Sequence, residues 1–128
     1  MRKKNGIKIG AHVSAAGGVE NCFANAEAIG AEAIQIFVAS PRQWKVKKPD
    51  AKQAEIFKKT QKENGLGPVF AHASYLVNLA SVDPKKRHGG ATNLTAHLRL
   101  VEAYGIQGLI FHLGSSKGWS KKEGIQSM

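Results

Sequence analysis

Ala33-Ile34-Gln35-Ile36-Phe37-Val38, stopped by Ser40-Pro41 and followed from Ala51 to about Asn64 by a lysine-rich helical pattern, is the stretch whose reading decides the fold. A short apolar run bounded by turn residues reads as a strand, and the longer pattern as a surface helix. Asp50 stands directly before Ala51 as an N-cap, and Asn64-Gly65 ends the helix. Working outward, the same unit recurs. Upstream, Ile7 to Val13 is a strand, followed by the loop Ser14-Ala15-Ala16-Gly17-Gly18. A helix from about Val19 to Ile29 then carries Val19, Cys22, Phe23 and Ala26 at helical spacing and is closed by Gly30. Downstream, Pro68 to about Ala73 is the third strand and runs into Ser74-Tyr75-Leu76. Ser81 to Gly90 reads as a long loop rich in Lys, Arg and Gly. A helix over Ala91 to Tyr104 follows, with Leu94, Leu98 and Val101 on one face and Gly105 past its end. Leu109 to Leu113 is the fourth strand, and Ser120 opens another helix.

Strands alternating with helices imply an α/β protein with a parallel sheet and right-handed crossovers. A doubly wound sheet and a (β/α)8 barrel both begin this way. About four units in 128 residues is roughly half of the ~250 residues of a complete barrel. The length fits one domain, over residues 1–128.

The charge is lopsided, with 19 Lys+Arg against 9 Asp+Glu, a net +10. Such a surplus suits a polyanion, because neutralising phosphates releases counterions. A small basic protein without nucleic-acid specificity has the same composition. The single Cys22 excludes an intramolecular disulfide and reads as a small buried hydrophobe. Met1-Arg2-Lys3-Lys4 is basic, but Gly6, Lys8, Gly10, His12 and Ser14 break every apolar run that follows. A signal peptide is therefore not expected, and no stretch approaches membrane-spanning length. The expectation is a soluble, intracellular (cytoplasmic) protein.

In parallel α/β folds the chemistry sits in loops at the carboxyl ends of the strands. His12, Pro41-Arg42-Gln43-Trp44, His72 and His112 all fall at or just beyond a strand end. His72 and His112, at equivalent positions of successive strands, are the metal candidates, since imidazole suits zinc. Each also fits a histidine hydrogen-bonded within a polar loop. A catalytic zinc needs about three protein ligands, and of the acidic residues only Asp83 is kept as a remote further ligand. Arg42, Gln43 and Trp44, with Tyr75 and Leu76 nearby, form a combination able to enter a DNA groove and unstack a base step. Capping of the core by Trp44 and Tyr75 is the other reading. Lys45, Lys47, Lys48, Lys85, Lys86, Arg87 and Lys117 would contact phosphates on that rim, or lie as solvated surface charges. His12 is a candidate hydrogen-bonding support for metal ligands, whereas His88 and His97 read as surface or helix positions. The glycine-rich loop matches no dinucleotide or phosphate-loop fingerprint, so no nucleotide cofactor is expected.

Four segments in order resemble one family. Gly10 to Gly18 is similar to the opening of bacterial endonuclease IV (deoxyribonuclease IV, AP endonuclease family 2), and Phe37 to Trp44 to its DNA-penetrating loop. His72 to Ser81 is similar to its first histidine-ligand segment, and Phe111 to Ser115 to its second. The resemblance implies the N-terminal half of a TIM (β/α)8 barrel. It implies a site of three zinc ions that hydrolyses the phosphodiester 5′ of an abasic site in double-stranded DNA. By it, His72 and His112 are ligands of one zinc, and Arg42, Tyr75 and Leu76 enter the duplex. Ser40 departs from the Asn more common in the family. The remaining ligands, carboxylates and histidines, are expected beyond Met128, so a fragment or truncated gene product is expected. The rivals are a sugar isomerase or epimerase of the same superfamily, and a non-catalytic DNA-binding remnant.

Overall fold

A computed structural model describes residues 6–128; the basic start at Met1-Arg2-Lys3-Lys4 lies outside the described residues. Strands β1 (Gly10–His12), β2 (Ala33–Ile36), β3 (Val69–His72) and β4 (Gly108–Ile110) alternate with helices. These are α1 (Asn21–Ala28), α2 (Ala51–Asn64), α3 (Pro84–Tyr104) and α4 (Lys121–Ser127). The strands pair in parallel in chain order, β1-β2-β3-β4. The order never reverses, so the switch point of a doubly wound sheet is missing among the described strands. Right-handed crossovers without reversal put the connecting helices on one face.

Strand periodicity then divides the side chains. Ile34, Ile36, Val69 and Ala71 are buried against Cys22, Phe23 and Ala26 of α1, Ala54 and Phe57 of α2, and Leu100, Val101 and Tyr104 of α3. Phe57 is fully buried, its ring centroid 4.9 Å from that of Phe23 and 5.3 Å from that of Tyr104. The cross-strand row His12, Gln35, Phe70 and Gly108, with His72 and Ile110 beyond it, has the opposite parity and faces away from the helices. Cys22 lies in the core as expected, and burial, assisted by Glu20, pushes its thiol pKa up to about 12.

Local chemistry accounts for the ends of the elements. The Asp50 carboxylate accepts from the Gln53 amide at 2.8 Å, and α2 and α3 end on Gly65 and Gly105 in the left-handed conformation. α4 opens on a reciprocal capping box between Ser120 and Glu123. At Gly10 a Cβ would stand 2.3 Å from the Ala33 carbonyl oxygen, so only glycine lets β1 approach β2 there.

Three expectations need correction. The first strand is shorter than Ile7–Val13, because its ladder to β2 spans only Gly10–His12; Ile7 and Ile9 are exposed. The fourth ends at Ile110 rather than Leu113, because its pairing with β3 stops at His72↔Ile110. Much of the supposed loop Ser81–Gly90 is helix: α3 starts at Pro84, with the Asp83 carboxylate accepting from the Lys85 amide at 2.8 Å. Proline in a first turn sacrifices only an amide that lacks a helical partner anyway.

Truncating Phe57→Ala removes the ring that joins α1, α2 and α3. The expected loss is about 3–5 kcal/mol, read as a shift in the urea midpoint. A loss below about 1 kcal/mol would show that the helices do not pack through this ring.

A candidate metal and DNA site at the carboxyl ends of the strands

The ends of β1, β3 and β4 and the residue after β2 gather rings at one rim. The His12 and Phe37 rings lie 4.5 Å apart, Phe37 and His72 5.6 Å, and His72 and His112 5.1 Å, between centroids. His72 is buried and its Nδ1 donates to the Ala73 carbonyl oxygen at 2.8 Å. That bond places the proton on Nδ1 and leaves the Nε2 lone pair free to meet a cation. His12 is held differently: its Nδ1 accepts from the Gln35 side-chain amide at 2.9 Å. Phe37 stands between His12 and His72, so His12 reaches the pair through a ring contact. Burial, then the charge of His72, lowers the His12 pKa from its ordinary value.

His112 is exposed, two residues past β4, and its segment is anchored by Asn78. The Asn78 Oδ1 accepts from the Ala80 and Ser115 amides, both at 3.1 Å, while the Leu79 amide donates to the Leu113 carbonyl at 3.0 Å. At Gly114 a Cβ would stand 2.0 Å from Asn78 Oδ1, so glycine is required for this clasp.

The two loops read as DNA-probing are joined at Pro41. Its carbonyl accepts from the Ser74 hydroxyl at 2.8 Å and from the Tyr75 amide at 2.9 Å. Tyr75 is 58% exposed, its ring 5.5 Å from Phe37 and 6.3 Å from His72. Arg42 and Gln43 are exposed and Leu76 is half-buried. Trp44 is less free: its ring lies against Gly89 of α3, and its carbonyl accepts from Asn93 Nδ2 at 2.9 Å. With 44% of its surface exposed, Trp44 both supports the loop and shows a ring edge to solvent.

Lys45, Lys47 and Lys48 line a cleft with Ser40, Gln43, Gln53 and Tyr104. Arg87 is committed elsewhere. Its Nη1 donates to the Ser81 and Val82 carbonyls at 2.7 and 3.1 Å, and its guanidinium lies 4.8 Å from the centre of the Trp119 ring. Asp83 is the cap of α3 rather than a neighbour of the histidines by any hydrogen bond. Among the described residues, no group of three or more His, Cys, Asp and Glu gathers to hold a metal. Phe37, Asn78 and Asn93 were not singled out from sequence. Phe37 reads from sequence as part of the second strand, which ends at Ile36, so its place on the rim was not evident; the links of Asn78 to Ser115 and of Asn93 to Trp44 join segments remote in sequence.

His97, read as a position without special role, is a fully buried side chain of α3. Its Nδ1 donates to the Asn93 carbonyl at 2.9 Å, while its Nε2 and Asn93 Oδ1 are buried without partners among the described residues.

A singly wound parallel sheet with helices on one face defines half of a (β/α)8 barrel, and the imidazoles gather at its carboxyl edge. Residues 23–128 match a family described as "Xylose isomerase-like TIM barrel", and the chain belongs to that family. It is 38% identical over 122 residues to "Probable endonuclease 4" of Persephonella marina, covering 95% of this chain and 43% of that protein. To the protein of the same name from Halorhodospira halophila it is 43% identical over 108 residues, covering 84% and 36%. Its structure matches endonuclease IV from Thermus thermophilus with a TM-score of 0.81 at 30% identity, covering 94% of this chain and 44% of that one. The chain thus spans less than half the length of these relatives, in their N-terminal part. No helix among the described residues is long and apolar enough to cross a membrane.

Burial holds the His97 imidazole below its ordinary pKa of 6.5, outweighing the Asn93 hydrogen bond, and His72 adds to the lowering. The folded chain therefore refuses a proton that the unfolded chain accepts, so stability falls as pH drops below 6.5. Urea midpoints at about pH 7.5 and about pH 5.5 test this. His97→Gln should reduce the acid loss without abolishing it, because His12 acts in the same sense. An unchanged pH slope in that variant would remove His97 from the account.

Proposed function

We propose that this chain forms the N-terminal part of a zinc-dependent endonuclease that hydrolyses DNA on the 5′ side of abasic sites. One observation carries the reading. Within a chain matching endonuclease IV, the His72 and His112 rings come within 5.1 Å of each other, and the Ala73 carbonyl turns a lone pair of His72 outward.

Neutral imidazoles suit zinc, and a ring held by its Nδ1 proton is a preoriented ligand. His72 and His112 would hold one ion, and any further ligands would have to come from outside the described residues. When bound, zinc polarises a phosphodiester and lowers the pKa of a water, the chemistry of hydrolysis near neutral pH. The chain's own residues do the positioning. Because Pro41 ties Ser74 and Tyr75 to the Arg42-bearing loop, both probing loops move as one rim against the duplex. Arg42 and Gln43 reach the groove, and Tyr75 with Leu76 fills the gap left by a displaced nucleotide. Lys45, Lys47 and Lys48 meet phosphates. His12 supports the mouth from β1 through Phe37.

Two measurements test this. Zinc titration against a chromophoric chelator should show binding that is lost in His72→Ala/His112→Ala; retained affinity would overturn the metal assignment. Fluorescence anisotropy with a duplex carrying one abasic analogue should show binding that weakens with salt. Tyr75→Ala should lower the preference for that duplex over an intact one about tenfold, the scale of one lost stacking contact of about 1–3 kcal/mol. Equal binding to both duplexes by the unaltered chain would overturn abasic recognition. Because the chain gathers two ligands, it is expected to bind without nicking.

A further inference from the structure

A set of buried polar atoms on α3 carries an inference that does not depend on zinc or DNA. One face of the helix presents Gly89, Asn93 and His97 at four-residue spacing, ahead of the apolar positions Leu100, Val101 and Tyr104. Residues four apart lie one above the other on a helix. An amphipathic helix would place apolar side chains there, yet Asn93 is 2% exposed and His97 is fully buried. The first two positions serve the segment after β2. The Trp44 ring lies against Gly89, and Asn93 Nδ2 donates to the Trp44 carbonyl at 2.9 Å.

The stripe is short of donors. His97 Nδ1 meets the Asn93 carbonyl oxygen at 2.9 Å, so it carries the proton and Nε2 is left an acceptor. Asn93 Nδ2 meets the Trp44 carbonyl, so Oδ1 is an acceptor too. Both atoms are buried, and no donor among the described residues reaches either. Buried polar atoms are nearly always paired, because an unpaired one forfeits its hydration. A cation does not fit. Among the described residues the charged group that acts on His97 is His72, which opposes further positive charge, and an uncompensated buried charge is far costlier than a neutral donor. With so little surface exposed, the donor must be small enough to be enclosed as the chain folds.

We propose that α3 encloses one ordered water, which donates one hydrogen to His97 Nε2 and the other to Asn93 Oδ1. Two polar partners lie within the range that holds a buried water. The water fixes which way the Asn93 amide faces. Turned over, the amide would set Oδ1 against the Trp44 carbonyl, acceptor against acceptor, and lose the 2.9 Å bond. His97 therefore acts through the water and Asn93 on Trp44, as a positioning residue for the segment that follows β2.

Water-selective Overhauser spectroscopy on the isotopically labelled 128-residue chain tests this. Expected are contacts of a long-lived water with the His97 ring protons and the Asn93 side-chain amide, and a proton–nitrogen correlation that places the imidazole proton on Nδ1. Absence of the water contacts, or a proton on Nε2, overturns the proposal. Two variants separate a water anchor from simple filling of space. His97→Gln keeps an acceptor near the Nε2 position and should retain the water. His97→Phe keeps a ring without an acceptor. There the Asn93 side-chain amide should exchange with solvent about fivefold faster, the scale of one hydrogen bond. The Lys45 amide, in the same peptide unit as the Trp44 carbonyl, should shift with it. Equal exchange in the two variants assigns His97 to packing alone and overturns its positioning role. Should His97→Phe unfold, His97→Gln decides: a retained water supports the anchor, and a lost one overturns it.

Discussion

The parallel ladder of β1-β2-β3-β4 in chain order is the constraint on which the rest of the molecule depends. Every crossover must be a helix long enough to return the chain to the starting edge, and handedness sends each helix to the same face. One face therefore acquires the core around Phe23, Phe57 and Tyr104. The other keeps Gln35, Phe70, His72 and Ile110 turned away from any helix. Because all strands point the same way, all their carboxyl ends meet at one rim, and residues as distant in sequence as His12 and His112 become neighbours of one ring cluster.

That rim is ordered by hydrogen bonds from side chains and amides to loop backbone. Pro41 receives two donors from the loop after β3, Trp44 receives Asn93, and Asn78 grips the segment after β4. These contacts convert three flexible connections into one surface. A site built this way needs little of the binding energy of a ligand to arrange itself. Arg87 is spent elsewhere: its contacts with the Ser81 and Val82 carbonyls and the Trp119 ring hold the start of α3 beside the segment that precedes α4.

How legible this was varies with the range of the interactions. The helix over Ala51–Asn64 was readable to the residue, because Asp50 and Gly65 act on amides and carbonyls within one turn of themselves. The start of α3 was misread although Asp83-Pro84 is a cap and first-turn pair, since Lys85, Lys86, Arg87, Gly89 and Gly90 mask it with loop-like composition. Gly89 and Gly90 nevertheless sit within the helix, against Trp44 and Leu79 at ordinary contact distance. His97 was read as a surface or helix position, and it does lie in α3, but a polar residue on a helix is usually exposed. Only the packing around α3 shows it to be buried.

By itself, the sequence determined the strand–helix alternation, the caps, the basic balance and the placing of His12, His72 and His112 at strand ends. It also carried the four ordered segments that mark the family. Each of these is a matter of local periodicity, composition or short motifs, and so is written in consecutive residues. Tertiary structure alone decided the unreversed strand order, the turning of His72 by Ala73, and the pairing of His72 with His112. It alone also decided the joining of the loops after β2 and β3 through Pro41, the hold of Asn93 on Trp44 and of Asn78 on the segment after β4, and the exposure of both sheet edges. Those features depend on which distant segments share a face, which follows from handedness and packing across the sheet and from no run of neighbouring residues.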